Sequence, residues 1–459
     1  MSKYNTIRSN RIVNRAGGQA FKQSPKLNFI SLVLTSFVKD QFYRTEKQSL
    51  TEVSKLIDEI NDPLFVAKTA IYARTKFGMR SISHVVAAEI AHRVKGVSWT
   101  KNFFDKVVYR PDDMAEILGF YQKLNGKKGD AYLQNALKKG FAKALTRFDA
   151  YQIAKYKGEG KLYSLKDIVS LVRPKATPAL TALMKDTLKA PETWEAKMTK
   201  AGQKAETDEQ KETLKAEVWK QLLTERKLGY FALLRNLRNI IEQAPEMLPV
   251  AHQMLMDETL IKNSLVLPFR YLTALEEISK LNGNGVRSTL IALDQALNKS
   301  VANVPKFDGK TLIALDISGS MEGRTASIAS LFAAVLYKSN ESDLIRFDDQ
   351  ASYVSLNPSD SIGTLAARMG GSGGGTNFHA IFQEANQAYD RIVILSDMQG
   401  WVGGYQAPTT SFAEYKRRTG ANPRVYSFDL QGLGSMAFPE NNVFAIAGFS
   451  EKIFDVMKL

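Results

Sequence analysis

Thr311-Leu312-Ile313-Ala314-Leu315-Asp316-Ile317-Ser318-Gly319-Ser320 is the stretch that decides how the C-terminal part folds. Its first five residues are apolar and β-prone, and the segment from Arg324 to Lys338 reads as a helix. Asp316 therefore closes a strand, at the edge where open α/β sheets place ligands. A second apolar run, Arg391-Ile392-Val393-Ile394-Leu395-Ser396, ends in Asp397. Between them Gly370-Gly371-Ser372-Gly373-Gly374-Gly375 delivers Thr376 at a turn before another helix. The carboxylates of Asp316 and Asp397 and the hydroxyls of Ser318, Ser320 and Thr376 can meet on one rim. Such an all-oxygen shell suits a hard divalent cation, Mg²⁺ above all, with water or a partner's oxygen completing an octahedron. Taken singly, Ser and Asp after a strand also serve as turn and N-cap residues.

Outward from this stretch the C-terminal part alternates. Strands are expected at 311–316, 343–348, 352–356, 391–397, 424–430 and 443–448, and helices at 324–338, 360–369, 377–388, 411–419 and 450–457. Alternation of this kind means a mainly parallel sheet covered on both faces. Asp348-Asp349-Gln350 between two short strands reads as a hairpin, so one edge is expected to be antiparallel.

The rest of the chain reads differently. From Leu27 to Val301 one helical pattern follows another with almost no strand signal. Phe29 to Val38 is one candidate. Pro63 suits a first helical position, Ser81 a cap, and Pro111-Asp112-Asp113 a positive helix end. Leu133, Leu137, Phe141, Ala144, Leu145 and Phe148 form an apolar face. Further helices are expected near 164–172, 177–188, 209–224, 230–242, 267–280 and 286–298. The sum is an α-solenoid of paired helices without a strict repeat period. Lys185 to Lys227, charged and Ala-rich, reads as a protruding hairpin, and Asn298 to Lys310 as the linker. The expected division is 1–305 for the helical part and 306–459 for the α/β part.

Charge separates the two parts. Of the net +15, residues 306–459 carry 13 Lys and Arg against 16 Asp and Glu, so the first 305 residues hold +18. A helical body that basic concentrates polyanions, nucleic acid first and an anionic membrane surface second. Lys3, Arg8, Arg11, Arg15, Lys22, Lys26 and Lys39 all precede the first acid, Asp40, in a stretch expected to be loosely ordered until something pins it. On the helix around residue 140, Lys139, Lys143 and Arg147 recur every four residues beside Lys138, and can follow a phosphate backbone. Tyr151 and Tyr156, next to Lys155 and Lys157, offer rings for stacking. Arg235 and Arg238 are similar candidates. The plainer readings are a solvated basic face, core tyrosines and ion pairs.

Composition bounds the rest. The 459 residues contain no cysteine, which excludes disulfides, thiolate zinc sites and a cysteine nucleophile, and fits a reducing, cytoplasmic setting. No apolar run nears 18 residues, so a membrane protein is not expected.

Two resemblances follow. The segment from 306 onward resembles a von Willebrand A domain, whose metal-ion-dependent adhesion site is matched by Asp316, Ser318, Ser320, Thr376 and Asp397. Asn14-Arg15-Ala16-Gly17-Gly18, Tyr151 to Lys157, Tyr163-Ser164-Leu165-Lys166-Asp167-Ile168, Val218 to Leu223, Phe231 to Leu237 and Leu267 to Leu275, in that order, resemble the TROVE module of the Ro autoantigen proteins and their bacterial orthologues. The resemblance implies a HEAT-like helical ring closed by the C-terminal domain, a noncatalytic scaffold. Its hole would take single-stranded 3′ ends of misfolded noncoding RNA, and its outer surface a small Y-type RNA. That RNA can tether a 3′-to-5′ exoribonuclease, polynucleotide phosphorylase. The RNA-binding set would be Lys138, Lys139, Lys143, Arg147, Lys155, Lys157, Lys166, Arg173 and Arg235. Animal members carry two His in the third stretch; here Leu165 and Arg173 stand in those places, and Pro174 alters the turn.

Signals for catalysis are weak. His84, His92, His252 and His379 show no metal-ligand spacing, and no phosphate loop with its Lys occurs. Asp348 and Asp349 as a nuclease pair with Asp316, and a purely metal-dependent protein-adhesion scaffold, remain as alternatives to the RNA-binding reading.

Overall fold

The computed structural model describes residues 11–14, 17–22, 24–35, 46–125, 133–158, 162–189, 193–371, 373–400, 408–433, 435–436, 442–447, 454 and 457. Two short strands come first, β1 (Arg11–Val13) and β2 (Gln19–Lys22). Helices follow as α1 (Pro25–Thr35), α2 (Glu46–Ile60), α3 (Pro63–Thr75), α4 (Ser81–Arg93), α5 (Thr100–Val107), α6 (Asp113–Asn125), α7 (Asn135–Leu145), α8 (Ala150–Lys155) and α9 (Leu165–Val172). Then come α10 (Pro178–Met184), α11 (Trp194–Lys204), α12 (Asp208–Thr224), α13 (Tyr230–Gln243), α14 (Leu248–Leu255), α15 (Glu258–Ser264), α16 (Phe269–Ile278) and α17 (Val286–Ser300). The C-terminal part runs β3 (Thr311–Asp316), α18 (Arg324–Ser339), β4 (Ser342–Phe347), β5 (Ala351–Val354), α19 (Ile362–Met369), α20 (Phe378–Glu384), β6 (Arg391–Ser396), α21 (Thr409–Thr419), β7 (Arg424–Asp429), β8 (Ser435–Met436) and β9 (Val443–Ala447). The helix expected at 450–457 falls mostly on residues outside those described.

The main sheet has the order β5-β4-β3-β6-β7-β9, parallel except for β5 on β4, the expected antiparallel edge. Side chains of a strand alternate between faces, and here the alternation divides two cores. Leu312, Ala314, Ile392 and Ile394 pack with Phe378, Phe382, Phe412 and Tyr415. Ile313, Leu315, Val393 and Leu395 belong instead to the core that holds Phe332 of α18 and, continuous with it, Trp219, Tyr271 and Leu293 of the helical body. Phe332 is the joint: its ring centroid lies 5.6 Å from Phe269 of α16, 5.2 Å from Phe428 of β7 and 5.3 Å from Phe454. Truncating such a buried aromatic costs about 3–5 kcal/mol. The earlier helices, α1 to α10, enclose a separate core.

Both ends of the helical array dock on the sheet domain. At its far end, the Ser361 hydroxyl donates to Asp294 Oδ1 (3.1 Å), and the Ile362 amide donates to Asn298 Oδ1 (2.9 Å). At its near end, β1 and β2 form a hairpin, β2 pairs with β8, and Phe21 and Leu27 enter the sheet-domain core. The array is thereby closed into a ring. The domain body thus pins the N-terminal stretch, one of the two ways it was expected to become ordered, and its two short strands precede the helical stretch that begins at Leu27. Lys3, Arg8, Arg15 and Lys39 lie outside the described residues. Two smaller expectations also change. The cap position before α4 is Arg80, whose side chain makes no capping bond, and Ser81 is already helical. The linker is packed, with Val304 buried and the Phe307 amide bonded to Asn340. The α11–α12 hairpin does protrude, exposed from Glu206 to Thr213 and anchored where Trp194 stacks on Trp219 at 5.8 Å.

Candidate functional site

β3 and β6 are neighbours at the point where strand order reverses, so Asp316 and Asp397 emerge side by side at their C-terminal ends. The Gly-rich segment is laced to the β3 loop: the Gly373 amide donates to Ile317 O (3.1 Å) and the Gly319 amide to Gly374 O (3.1 Å). A Cβ on Gly374 would lie 2.9 Å from Asp349 Oδ2 and 3.2 Å from Asp348 Cβ, so a larger residue would press on the Asp348–Asp349 turn. Thr376, which follows this loop, is buried, as are Asp316, Ser318 and Asp397. The Ser318 and Ser320 hydroxyls are 3.4 Å apart.

Two carboxylates sunk this deep resist ionisation. Burial, then the charge of Asp397, pushes Asp316 up to about 7, against the pull of bonds from Ser318 and Ser396. Burial likewise raises Asp397. Asp397 Oδ1 accepts from the Gln399 amide (3.1 Å), and the nearby Ser320 hydroxyl lowers the Asp397 pKa against its burial, yet Oδ2, equally buried, has no partner in hydrogen-bond geometry. A buried carboxylate oxygen left this way is costly unless something positive meets it.

Three neighbours escaped the sequence reading. The Ser396 hydroxyl donates to Asp316 Oδ2 (2.5 Å), fixing that carboxylate. Gln431 donates through Nε2 to Ser320 O (3.1 Å), and Asp429 at the end of β7 accepts from the Gln431 and Gly432 amides. The signal for Ser396 was available: it is the last strand residue before Asp397. Gln431 was not legible, because its loop enters through tertiary pairing. Asp348 takes the turn role, its Oδ1 accepting from the Gln350 amide (3.0 Å). The four histidines bond to Asp113, Asn125, Thr289 and Ser411.

The basic candidates separate by environment. Lys143 Nζ lies 2.8 Å from Asp105 Oδ2, and Arg147 meets Asp105 Oδ1 at 3.1 Å. Arg147 also donates to the carbonyls of Asp105 and Val108 at the end of α5 (2.8 Å each). These two cations staple α7 to α5 while staying half exposed. Lys139 is exposed and Lys138 partly so. Lys166 pairs with Asp186 (2.5 Å), Lys155 with Glu195 (3.5 Å), and Lys157 lies close by, partly buried. Arg173 is exposed and left-handed (φ 49°) at the end of α9, whereas Leu165 is buried core. Arg235 lies on α13, far along the chain from the others, exposed over the Phe231 ring.

A surface missed in part is the cleft of about 470 Å³ between α3, α5 and α8, walled by Lys106, Tyr109, Arg147, Phe148 and Gln152. Tyr109 is 58% and Tyr151 50% exposed. The Arg110 guanidinium stands 4.2 Å above the Tyr156 ring, and Lys155 is 5.9 Å from both Tyr151 and Tyr156. Exposed rings interleaved with cations are the makings of a single-strand nucleic-acid surface.

The TROVE domain family matches residues 31–210 and 182–317, together well over half of the chain. This chain belongs to the TROVE domain family. The crystal structure of the Ro (Rsr) protein of Deinococcus radiodurans superimposes with a TM-score of 0.65 at 20% identity, over 95% of this TROVE chain and 98% of that one. Telomerase protein component 1 of Mus musculus is 25% identical over 344 residues, and that of Rattus norvegicus 27% over 141. The TROVE chain spans only 13% and 5% of those two proteins. Among the described residues, no helix is long and apolar enough to cross a membrane.

Proposed function

We propose that this protein is a noncatalytic scaffold for noncoding RNA. It takes a small Y-type RNA and the single-stranded 3′ ends of misfolded transcripts, for quality control or degradation in the cytoplasm. The observation that carries the reading is the Lys106–Tyr109–Arg147 cleft with exposed Tyr109 and Tyr151 beside it, on a helical body holding the whole positive excess. Lys138, Lys139, Lys143, Arg147, Lys155, Lys157, Lys166, Arg173 and Arg235 supply the phosphate contacts in this proposal. An RNA held this way can also carry a 3′-to-5′ exoribonuclease such as polynucleotide phosphorylase. Mobility shifts with a hairpin RNA bearing a 3′ tail test it. Binding that weakens steeply with salt, without cleavage on long incubation with Mg²⁺, supports the proposal. No binding at low salt, or Mg²⁺-dependent cleavage, refutes it.

A second reading concerns the rim of the sheet. Asp316, Ser318, Ser320, Thr376 and Asp397 offer oxygens only, and the unpartnered Asp397 Oδ2 fits a hard cation. We propose Mg²⁺ there, its remaining position open to an acidic group of a partner. Retention of a partner protein that chelator or Asp316→Ala abolishes tests the adhesion role.

A further inference from the structure

The cation rim and the seam that closes the ring share two loops. After Asp397 the chain runs through Met398 and Gln399 to Gly400. There the Gly400 carbonyl accepts from Asn14 Nδ2 at 2.6 Å, a bond across 386 positions of the chain. Asn14 follows β1 at the turn of the N-terminal hairpin. It is buried, and its Oδ1 accepts from the Gly18 amide (2.9 Å), so the turn itself orients the side chain. After Asp429 the chain passes Gln431, which donates to the Ser320 carbonyl (3.1 Å), and reaches β8 at Ser435. β8 pairs with β2, Met436 opposite Phe21. Each of these rim loops therefore ends on the same hairpin.

The Asp397 loop is also strained. Met398 adopts φ 62°, a left-handed conformation that residues with a Cβ disfavour. Such backbone persists only where its surroundings over-determine it. On one side the Ser396 hydroxyl, which donates to Asp316, accepts from the Met398 amide (3.0 Å), and the Ser427 hydroxyl reaches Met398 Sδ (3.1 Å). On the other side Gly400 is wedged: a Cβ there would lie 2.5 Å from Phe378 Cδ2 and 3.4 Å from the Thr376 carbonyl oxygen. Gly400 thus lies against the backbone of Thr376, a second rim residue, and Asn14 grips it there. Without that grip the strained turn loses a restraint at its Gly400 end, and its relaxation moves Asp397 relative to Thr376.

We infer that Asn14 is a positioning residue of the cation rim, and that divalent-cation binding there is linked to docking of the N-terminal hairpin. This rests on the reading of the rim as a Mg²⁺ site. Linkage is reciprocal: if docking preorganises the rim, an occupied rim holds the hairpin by the same factor. Because this hairpin closes the ring, the cation governs how readily the ring opens at that seam.

The test uses the RNA-free full chain. Mn²⁺ suits the same oxygen ligands as Mg²⁺, and its free and bound forms are counted by electron paramagnetic resonance. Asn14→Ala should weaken Mn²⁺ binding roughly tenfold, within the usual range of coupling between sites. Val13→Ala, on the same hairpin but 69% exposed, should bind like wild type. Melting temperatures in chelator serve as the folding control. The reciprocal measurement is hydrogen exchange at the β2 amides. Saturating Mg²⁺ should slow it in wild type by a factor similar to the affinity change, and leave it unchanged in Asp397→Asn. A purely structural Asn14 would not make β2 exchange depend on Mg²⁺. Equal Mn²⁺ affinity in wild type and Asn14→Ala, or β2 exchange indifferent to Mg²⁺ in wild type, overturns the linkage while the cation site stands. If wild type holds no Mn²⁺ that Asp397→Asn loses, the cation reading falls and the linkage with it.

Discussion

Asp113, with no exposed surface, accepts two hydrogen bonds from one edge of the Arg74 guanidinium, Nε to Oδ2 at 3.1 Å and Nη2 to Oδ1 at 3.0 Å. The same carboxylate accepts from His84 Nε2 (2.9 Å) and from the Tyr109 and Arg110 amides (2.9 and 2.8 Å). It thus ties α3, α4 and the start of α6 to the loop that presents Tyr109. Burial raises the pKa of Asp113, but the bonds and charges of His84 and Arg74 more than offset it and hold the group well below the ordinary carboxylate range.

Asp113→Asn should therefore destabilise the protein by about 3–5 kcal/mol, because it strands a buried guanidinium. A group whose pKa is depressed on folding stabilises fully above its unfolded value, 3.8, and loses that contribution as pH falls below it. Urea titrations should show the gap between wild type and variant constant near neutrality and closing below about pH 4. A gap that widens in acid would contradict the assignment.

Gly140 of α7 packs directly on α5: a Cβ there would lie 2.5 Å from Phe104 Cβ and 2.7 Å from the Lys101 carbonyl oxygen. Gly140→Ala gains about 1 kcal/mol of helix propensity, yet overpacking against unyielding backbone costs ~3 kcal/mol. The net expectation is a loss of about 2 kcal/mol, read as a lower denaturant midpoint. Equal or higher stability would mean that the two helices separate easily.

Mg²⁺ at the rim should raise the melting temperature, since a ligand bound only by the folded state adds about 2.7 kcal/mol at a hundred times its Kd. Asp397→Asn should abolish that rise. In chelator the same variant should melt higher than wild type, one of two buried, mutually repelling carboxylates being gone. Equal Mg²⁺ responses in the two proteins would exclude Asp397 as a ligand.

Tyr109→Ala and Lys139→Glu should each weaken binding of a tailed hairpin RNA without shifting the melting temperature, in distinguishable ways. Loss of a phosphate contact lowers the slope of log affinity against log salt by roughly 0.7–0.9; loss of a stacking ring leaves it unchanged. Arg147→Ala should instead lower stability, because its guanidinium satisfies the carbonyls of Asp105 and Val108.

What the linear chain determined is whatever depends on local order. Strand–turn–helix punctuation around Asp316, the glycine run before Thr376 and the apolar run into Asp397 are each local signals, so the strand ends and the doubly wound sheet were readable. The helical pattern was readable for the same reason, through its 3.6-residue period. Tertiary structure decided which cations have partners and which rings stay exposed. Lys139 and Lys143 look alike in sequence, but of the two only Lys143 pairs with Asp105, from a different helix, among the described contacts. Ring closure was equally hidden: β2 meets β8 across more than 400 residues, and no periodicity encodes a contact whose two halves never share a segment. Pairing energies of charges and stacking surfaces depend on distance in space, and only folding sets that distance.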